Sequence, residues 1–445
     1  MQRPAWRTVV LAALVAFATL AVWCAVCNGP YRLDDFATPL DDPASASLPA
    51  WVEHVMQTLR PLTKLTYAVE GSLGIAAAPA RRCLSIFIHC IGAAALAMLL
   101  ARRGVAWSLS TVLALLWALH PVHAESVLSL AGRSAAVGAT FVLIALALVA
   151  TKRAWLAACA LGCAVLGREA AAGGSLALAA LALSGCPQDK RIQRLAPVAL
   201  GVSLALVWVA LLPRAGVLVQ YSFLGRPPLS SVVRQVSAVP VGLSLYFRPW
   251  ALSCDHGEAL PSNPASLLFL LGVTLLAGAA AFAIAMRNRA PMVSAGAALW
   301  LGALLPTQSF FPKLDALTER PLGLALAGLI LMLTPLAIRL TRASTKMRLS
   351  VLLAGCFAVI LLGQATLARG KLYASDVALW SDAASKSVEN ARPHLQLALA
   401  LDAEGRRAEA LAALRRAHDI DPFNSPIQAR LRLWEHAHPD EEISP

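Results

Sequence analysis

Apolar runs of about 15 to 20 residues, parted by short polar segments, recur along the first 369 residues. A helix needs a run of about that length to cross the hydrocarbon core of a bilayer. The pattern predicts spans at about 8–27, 83–101, 105–119, 134–150, 196–212, 266–286, 291–305, 321–338 and 349–367. Two shorter apolar pieces, 154–166 and 170–185, flank Gly167-Arg168-Glu169 and predict a hairpin. Charges at such a break are costly in lipid and are expected to face protein or a water-filled cavity. The segment 230–250 is amphipathic and holds Pro240 and Pro249, which suits an interfacial or re-entrant piece. The first polar loop, 28–82, is expected to carry surface helices at Trp51 to Leu59 and around Tyr67.

The pattern changes after Arg369. Residues 376–438 are charged and helical in period, and ARPHLQLALALDAEGRRAEALAALRRAHDIDP fits one tetratricopeptide unit of about 34 residues. Leu397, Ala398, Leu401, Gly405, Ala410, Leu414, Ala417 and Pro422 fall at its small and apolar positions. Such units normally need about three repeats to bury a continuous core. This short one is therefore expected to lean on the membrane part or on a protein partner. The division expected is a membrane domain over 1–369 and a short helical domain over 370–445.

Composition agrees with a membrane protein: 58% of residues are hydrophobic, only 14% are charged, and the mean hydropathy is +0.65. Soluble domains carry about 25% charged residues. The formal net charge of +13 does not call for nucleic acid, because the basic residues come in small groups between apolar runs. Arg3/Arg7, Arg102/Arg103, Lys152/Arg153, Lys190/Arg191/Arg194, Arg287/Arg289 and Arg339/Arg342/Lys346/Arg348 fall on alternate loops. All share the cytoplasmic side if there are roughly eleven crossings. The N-terminus is then inside and the C-terminal tail outside, as in a protein of the bacterial cytoplasmic (inner) membrane with its tail in the periplasm. Residues 1–27 read as an uncleaved first helix, since the apolar run is long and lacks a small-residue cleavage site. Of the nine Cys, Cys24, Cys27, Cys159 and Cys163 lie in apolar segments and act as small apolar side chains. Cys24-x-x-Cys27 lacks the flanks and the partner pair of a zinc site, and no metal or cofactor is expected.

The same topology gathers the candidate chemistry on the outer face. YRLDDFATPLDDP places Asp34, Asp35, Asp41 and Asp42 in one loop, and RPLTKLTYAVEG sets Arg60 and Lys64 one helical turn apart. Arg60, Lys64, Arg81, Arg82, Arg133, Arg168, Lys313 and Arg320 are cations on the side where topology does not call for them. A carboxylate that takes a proton, beside cations that hold an anion, suits glycosyl transfer from a polyprenyl-phosphate sugar. The acceptor hydroxyl loses its proton as it attacks. The leaving lipid phosphate is already an anion and needs cations where charge develops. Asp34 or Asp35 is the expected base, whereas Asp41 and Asp42 precede Pro43 and look like a turn. His120, His123 and Glu125 are candidates for phosphate or sugar contacts. Arg133 is a candidate phosphate contact or a partner of Glu125. Arg168-Glu169 reads as an internal ion pair. Glu319-Arg320 reads as the same, or as a donor-phosphate contact through Arg320, and Asp255-His256 reads as structural.

LRPLTKLTYAVEG, LHPVHAESVLSLAGRSAAVGATF, LGREAAAGGSLAL, FRPWALSCDHG and PTQSFFPKLDALTERPLGLAL occur in this order along the chain. These blocks resemble the transmembrane-and-tetratricopeptide-repeat O-mannosyltransferase family and its bacterial relatives. The resemblance implies an all-α GT-C membrane bundle with a C-terminal repeat, and a polyprenyl-phosphate sugar as donor. It matches the family's first-loop Asp pair to Asp34-Asp35. It departs at Arg168, where the family more often has Lys, and at Pro321, where an aromatic is usual. The acceptor is a protein or glycan hydroxyl, and membrane lipid surrounds the fold. Two other functions fit the same composition: a transporter or flippase of a lipid-linked substrate, and an inactive anchor presenting the repeat. No convincing internal repeat, which transporters often show, is visible in the spans.

Overall fold

The computed structural model describes residues 5–32, 34–151, 153–184, 227–257, 260–306 and 315–437. The expected span at 196–212, the basic loop before it, and Lys313 lie outside the described residues. Among the described residues all regular structure is helical. The membrane part comprises α1 (Ala5–Cys24), α2 (Leu48–His54), α3 (Pro61–Ser72), α4 (Ala78–Arg102), α5 (Trp107–Ala118), α6 (Ala124–Leu128), α7 (Arg133–Ala150), α8 (Ala154–Gly167) and α9 (Gly174–Leu183). It continues with α10 (Pro228–Leu245), α11 (Leu267–Met286), α12 (Pro291–Leu304), α13 (Arg320–Met332), α14 (Thr334–Thr341) and α15 (Thr345–Leu372). Four further helices follow: α16 (Asp376–Lys386), α17 (Ala391–Ala403), α18 (Arg407–Ile420) and α19 (Ser425–Ala437).

Helices α4, α7, α11 and α15 are each long and apolar enough to cross a membrane. Two bent pairs pass the same test: α5 with the segment Pro121–Leu128, bent by 47°, and α13 with α14, bent by 41°. Each bend falls at a proline near a new helix start, Pro121 and Pro335. Proline supplies no N–H to the preceding turn and crowds its carbonyls. The hairpin expected around Gly167 is present as α8, a 3-10 turn over Glu169–Gly173, and α9. The amphipathic segment expected at 230–250 is the helix α10, which keeps Pro240 in its interior.

Burial sorts the helices into two shells. α7 is largely enclosed, while α11 and α15 bury only 11% of their apolar windows and turn the rest outward. Apolar helices left that open are compatible with a membrane protein. Inside, α12 and α13 approach closely where Gly296 and Gly328 face one another, each leaving no room for a Cβ against the other's backbone. Small residues let helices pack tightly where lipid gives no hydrophobic drive to associate. The largest apolar cluster links α4, α5, α7, α12 and α13.

The C-terminal helices are capped by Ser375 and Asn390, whose side chains accept from Ala378 N and Arg392 N. α17 and α18 form a hairpin around Gly405, whose φ of 76° suits glycine. Ala398 and Ala410 are both fully buried between the two helices. The composition shift at Arg369 does not coincide with a break in the chain path, because α15 runs unbroken to Leu372. Gly29, with φ 143°, is packed against the Tyr373 carbonyl, where a side chain would collide. The root of the first loop is thus seated on the end of α15.

Candidate active site

The first loop is anchored at two levels. Arg82 of α4 is buried and donates to the carbonyls of Leu128, Gly29, Pro30 and Cys27 at 2.6, 2.6, 2.5 and 3.2 Å. Arg32 is also buried and pairs with Asp376 at 2.6 Å while donating to Tyr373 O. These arginines satisfy backbone groups that a loop leaves open. They also fix the short run that leads to the Asp pair.

The structure separates that pair. Asp35 is fully buried and accepts from Ala131 N at 2.8 Å, Arg32 N at 3.2 Å and Ser129 Oγ at 3.3 Å. Burial pushes its carboxyl pKa above the usual carboxylate value, against the pull of those hydrogen bonds. Those bonds hold the first loop against the 129–131 turn, and they leave Asp34 as the accessible carboxylate of the two. The Asp34 side chain is 66% exposed and faces Arg320, with Nη2 3.1 Å from Oδ2. Arg320 Nε lies 2.7 Å from Glu125 on its other side. Asp34, Glu125, Arg168 and Arg320 line one cavity of about 310 Å³.

Several other candidates are engaged elsewhere. Arg60 donates from Nε and Nη2 to both oxygens of Glu169 at 2.9 and 2.5 Å. Its guanidinium is therefore used by the fold, and Glu169 has Arg60 as partner instead of the expected Arg168. Arg168 instead donates to Ser134 Oγ at 3.1 Å and lines the cavity. Lys64 is buried and pairs with Asp42 at 2.8 Å, which ties α3 to the Asp-rich loop. Asp42 also caps the turn at Pro43, accepting from Ala44 N.

Arg133 is corrected in the same way. It is fully buried, pairs with Glu70 at 2.8 Å, and lies over the Tyr67 ring at 4.5 Å. Its remaining N–H groups go to Ser85 Oγ, Thr66 Oγ1 and Arg81 O at 2.9, 3.0 and 2.7 Å. It pairs neither with Glu125 nor with anything in the cavity. Burial pushes the Glu70 pKa up, and the neighbouring Arg133 pulls it down.

Of His120, His123 and Glu125, only Glu125 reaches the cavity. His120 contacts Tyr246 O through Nε2 at 3.1 Å. His123 is buried among aromatic rings, its centroid 4.5 Å from that of His89 and 4.6 Å from that of Trp117. The 3-10 turn at Pro121 rotates the histidines inward and leaves Glu125, on α6, facing Arg320. Glu319 is buried too, meeting Ser253 N at 2.8 Å, His256 Nε2 at 3.0 Å and Arg369 at 3.5 Å. This network carries the structural role read for Asp255-His256 and orients the turn that presents Arg320.

A comparison with family models, with curated proteins and with solved structures finds no match. The site therefore stands on its own geometry. That geometry includes residues the sequence did not single out: Arg32, Asp315, Tyr373, Trp380 and Arg392 also line the cavity. Three of these belong to the segment after Arg369. Arg392 bridges Asp255 at 2.5 Å and Asp315 at 2.7 Å, clamping α17 to the loops of the membrane part. A second cavity of about 280 Å³, lined by His256, Glu389 and Asn390 among others, shares Asp315 and Arg392 with the first.

Proposed function

We propose that the protein is an integral-membrane glycosyltransferase of the GT-C type. It moves a sugar from a polyprenyl-phosphate donor to an acceptor hydroxyl on the periplasmic face of a bacterial cytoplasmic membrane. What carries this reading is the meeting of an exposed carboxylate, Asp34, with the Arg320 guanidinium on one cavity that also holds Arg168. The lipid phosphate takes the place of Asp34 on Arg320, which frees the carboxylate for the acceptor proton. Glu125 keeps Arg320 aimed at the cavity from its other side. A guanidinium matches a phosphate in geometry and charge, and its hold strengthens as the leaving group gains charge. The polyprenyl tail runs out between the apolar spans. The helices after Arg369 act as a short tetratricopeptide-type unit that walls the site and selects the acceptor or binds a protein partner.

The test uses full-length protein in nanodiscs, a panel of polyprenyl-phosphate sugars, and plain polyprenyl phosphate as competitor. Binding of at least one sugar donor, competed by the plain lipid phosphate, is expected, together with the same lipid class in mass spectra of the purified protein. If no polyprenyl phosphate co-purifies or binds, the reading fails.

A further inference from the structure

The C-terminal ends of α4 and α7 border a groove at the opposite pole of the bundle from the candidate site. At about 1.5 Å per residue, Arg102 lies about 30 Å along α4 from Arg82, which anchors the first loop. A bilayer's hydrocarbon core is about that thick. The groove encloses about 400 Å³. Ala95, Met98 and Arg102 line it from α4, and Ile144, Ala147 and Thr151 line it from α7 and its C-cap. Each set follows the spacing i, i+3, i+7, which is one stripe of a helix. Ala95 and Ala147 are small and buried, and they leave the space that the half-buried Met98 and Ile144 border. Arg153, the N-cap of α8, also lines the groove, and no carboxylate does. Arg102 and Arg153 are exposed, and among the described residues neither guanidinium has an ion pair or a hydrogen bond. Helix ends bring partial charges of both signs here, negative from α4 and α7 and positive from α8, so the two whole charges of the arginines set the local potential. Trp155, two residues after Arg153, is 68% exposed, and tryptophan favours the headgroup level of a membrane.

We propose that this groove binds an anionic phospholipid of the cytoplasmic leaflet. Arg102 and Arg153 hold its phosphate, and an acyl chain runs along the two apolar stripes. The positive-inside pattern places both arginines on that side, where basic pockets between spans take anionic headgroups. Charge complementarity selects the occupant. Two guanidinium groups with no carboxylate in the groove suit a phosphodiester, whereas a zwitterionic headgroup brings an ammonium that they repel. The apolar stripes select a lipid over a soluble anion, since a free phosphate gains nothing from Met98 and Ile144. The polyprenyl-phosphate donor of the proposed reaction belongs to the other pole, so this site stands whether or not the glycosyltransferase reading does.

The experiment uses delipidated full-length protein and native mass spectrometry, with phosphatidylglycerol and phosphatidylcholine of the same chains titrated separately. Phosphatidylglycerol should bind more tightly, and glycerophosphoglycerol, its headgroup without chains, should not displace it. Arg102→Gln and Arg153→Gln should each weaken phosphatidylglycerol binding about fivefold, and the double variant roughly twenty-five-fold, with phosphatidylcholine binding unchanged. Both positions are exposed, so these variants are expected to fold, which size-exclusion chromatography checks. Ala147→Leu narrows the groove and should lower phosphatidylglycerol binding with both arginines in place. Equal affinity of the wild-type chain for the two lipids, an unchanged double variant, wild-type binding in Ala147→Leu, or displacement by glycerophosphoglycerol would each overturn the proposal.

Discussion

Arg320 and Asp34 stand 286 positions apart in sequence and 3.1 Å apart in space. Their contact joins the first loop to the start of α13, and its two partners differ in access. Asp34 is 66% exposed, whereas the other carboxylate on Arg320, Glu125, is 17% exposed. On the glycosyltransferase proposal, this difference in exposure is the reason for placing the base at Asp34 and not at Glu125.

That assignment separates two classes of variant. Asp34→Asn keeps size and removes the base, so turnover should fall on the order of a hundred- to ten-thousand-fold, with donor affinity little changed. Arg320→Ala removes a charge-assisted contact to the phosphate, so donor affinity should fall, and turnover with it if the contact tightens as charge develops. Donor binding and turnover measured separately in nanodiscs distinguish the two. Near-native turnover in Asp34→Asn would move the base to Glu125.

Asp35 should behave as part of the fold. Asp35→Asn sets an amide N–H2 against one of the three donors now facing the carboxylate, at a cost of about 1–3 kcal/mol. The pH dependence has a definite sign. Because the folded carboxyl holds its proton more tightly than an ordinary Asp, the folded state binds more protons than the unfolded one between the two pKa values. Its contribution to stability is greatest below the ordinary Asp range, near pH 4, and declines as pH rises through the folded value. The gap in thermal midpoint between wild type and Asp35→Asn should therefore narrow with rising pH. A widening gap would mean that the ionised carboxylate is the stabilising form.

Arg133 offers a clean contrast with Arg320. Removing one partner of a buried pair leaves the other charge stranded, typically a loss of about 3–5 kcal/mol. Arg133→Ala should lower the unfolding midpoint sharply, while the folded fraction binds donor as before. Arg133→Lys should rescue little, because a point charge cannot serve Glu70, Ser85, Thr66 and the Arg81 carbonyl at once. A stable Arg133→Ala protein with lost donor binding would return Arg133 to the site.

The helices were legible because apolar runs announce themselves at their own length, and α1, α4, α7, α11, α12 and α15 lie within a few residues of the runs that predict them. The meeting of Asp34, Glu125 and Arg320 was legible in outline, since topology alone put them on one face. Ion-pair partners were not. Arg60 finds Glu169 across 109 positions, and Arg133 finds Glu70 on a helix whose pattern looked like surface. Charge type is written in the sequence, but the partner is chosen by which helices pack. The change of composition after Arg369 hid the most. It suggested a short helical unit leaning on the membrane part or on a partner, but not that Tyr373, Trp380 and Arg392, which follow the end of α15 at Leu372, line the cavity.

The last prediction follows from that wall. A chain ending at Leu372 keeps every apolar span but loses Asp376, which pairs with Arg32, and Arg392, which bridges Asp255 and Asp315. It also exposes Leu379's packing partners and opens the cavity where Trp380 closes it. Donor binding should fall together with transfer, and Arg32, left without its carboxylate, should loosen the run into Asp34. The milder variant Arg392→Ala leaves Trp380 and Asp376 in place, and so should weaken transfer more than donor binding. Insertion and folding of both chains are checked by size-exclusion chromatography before binding is measured. If the truncated, correctly folded chain binds donor as wild type does, the C-terminal helices serve only the acceptor, and the wall they form is incidental to the donor.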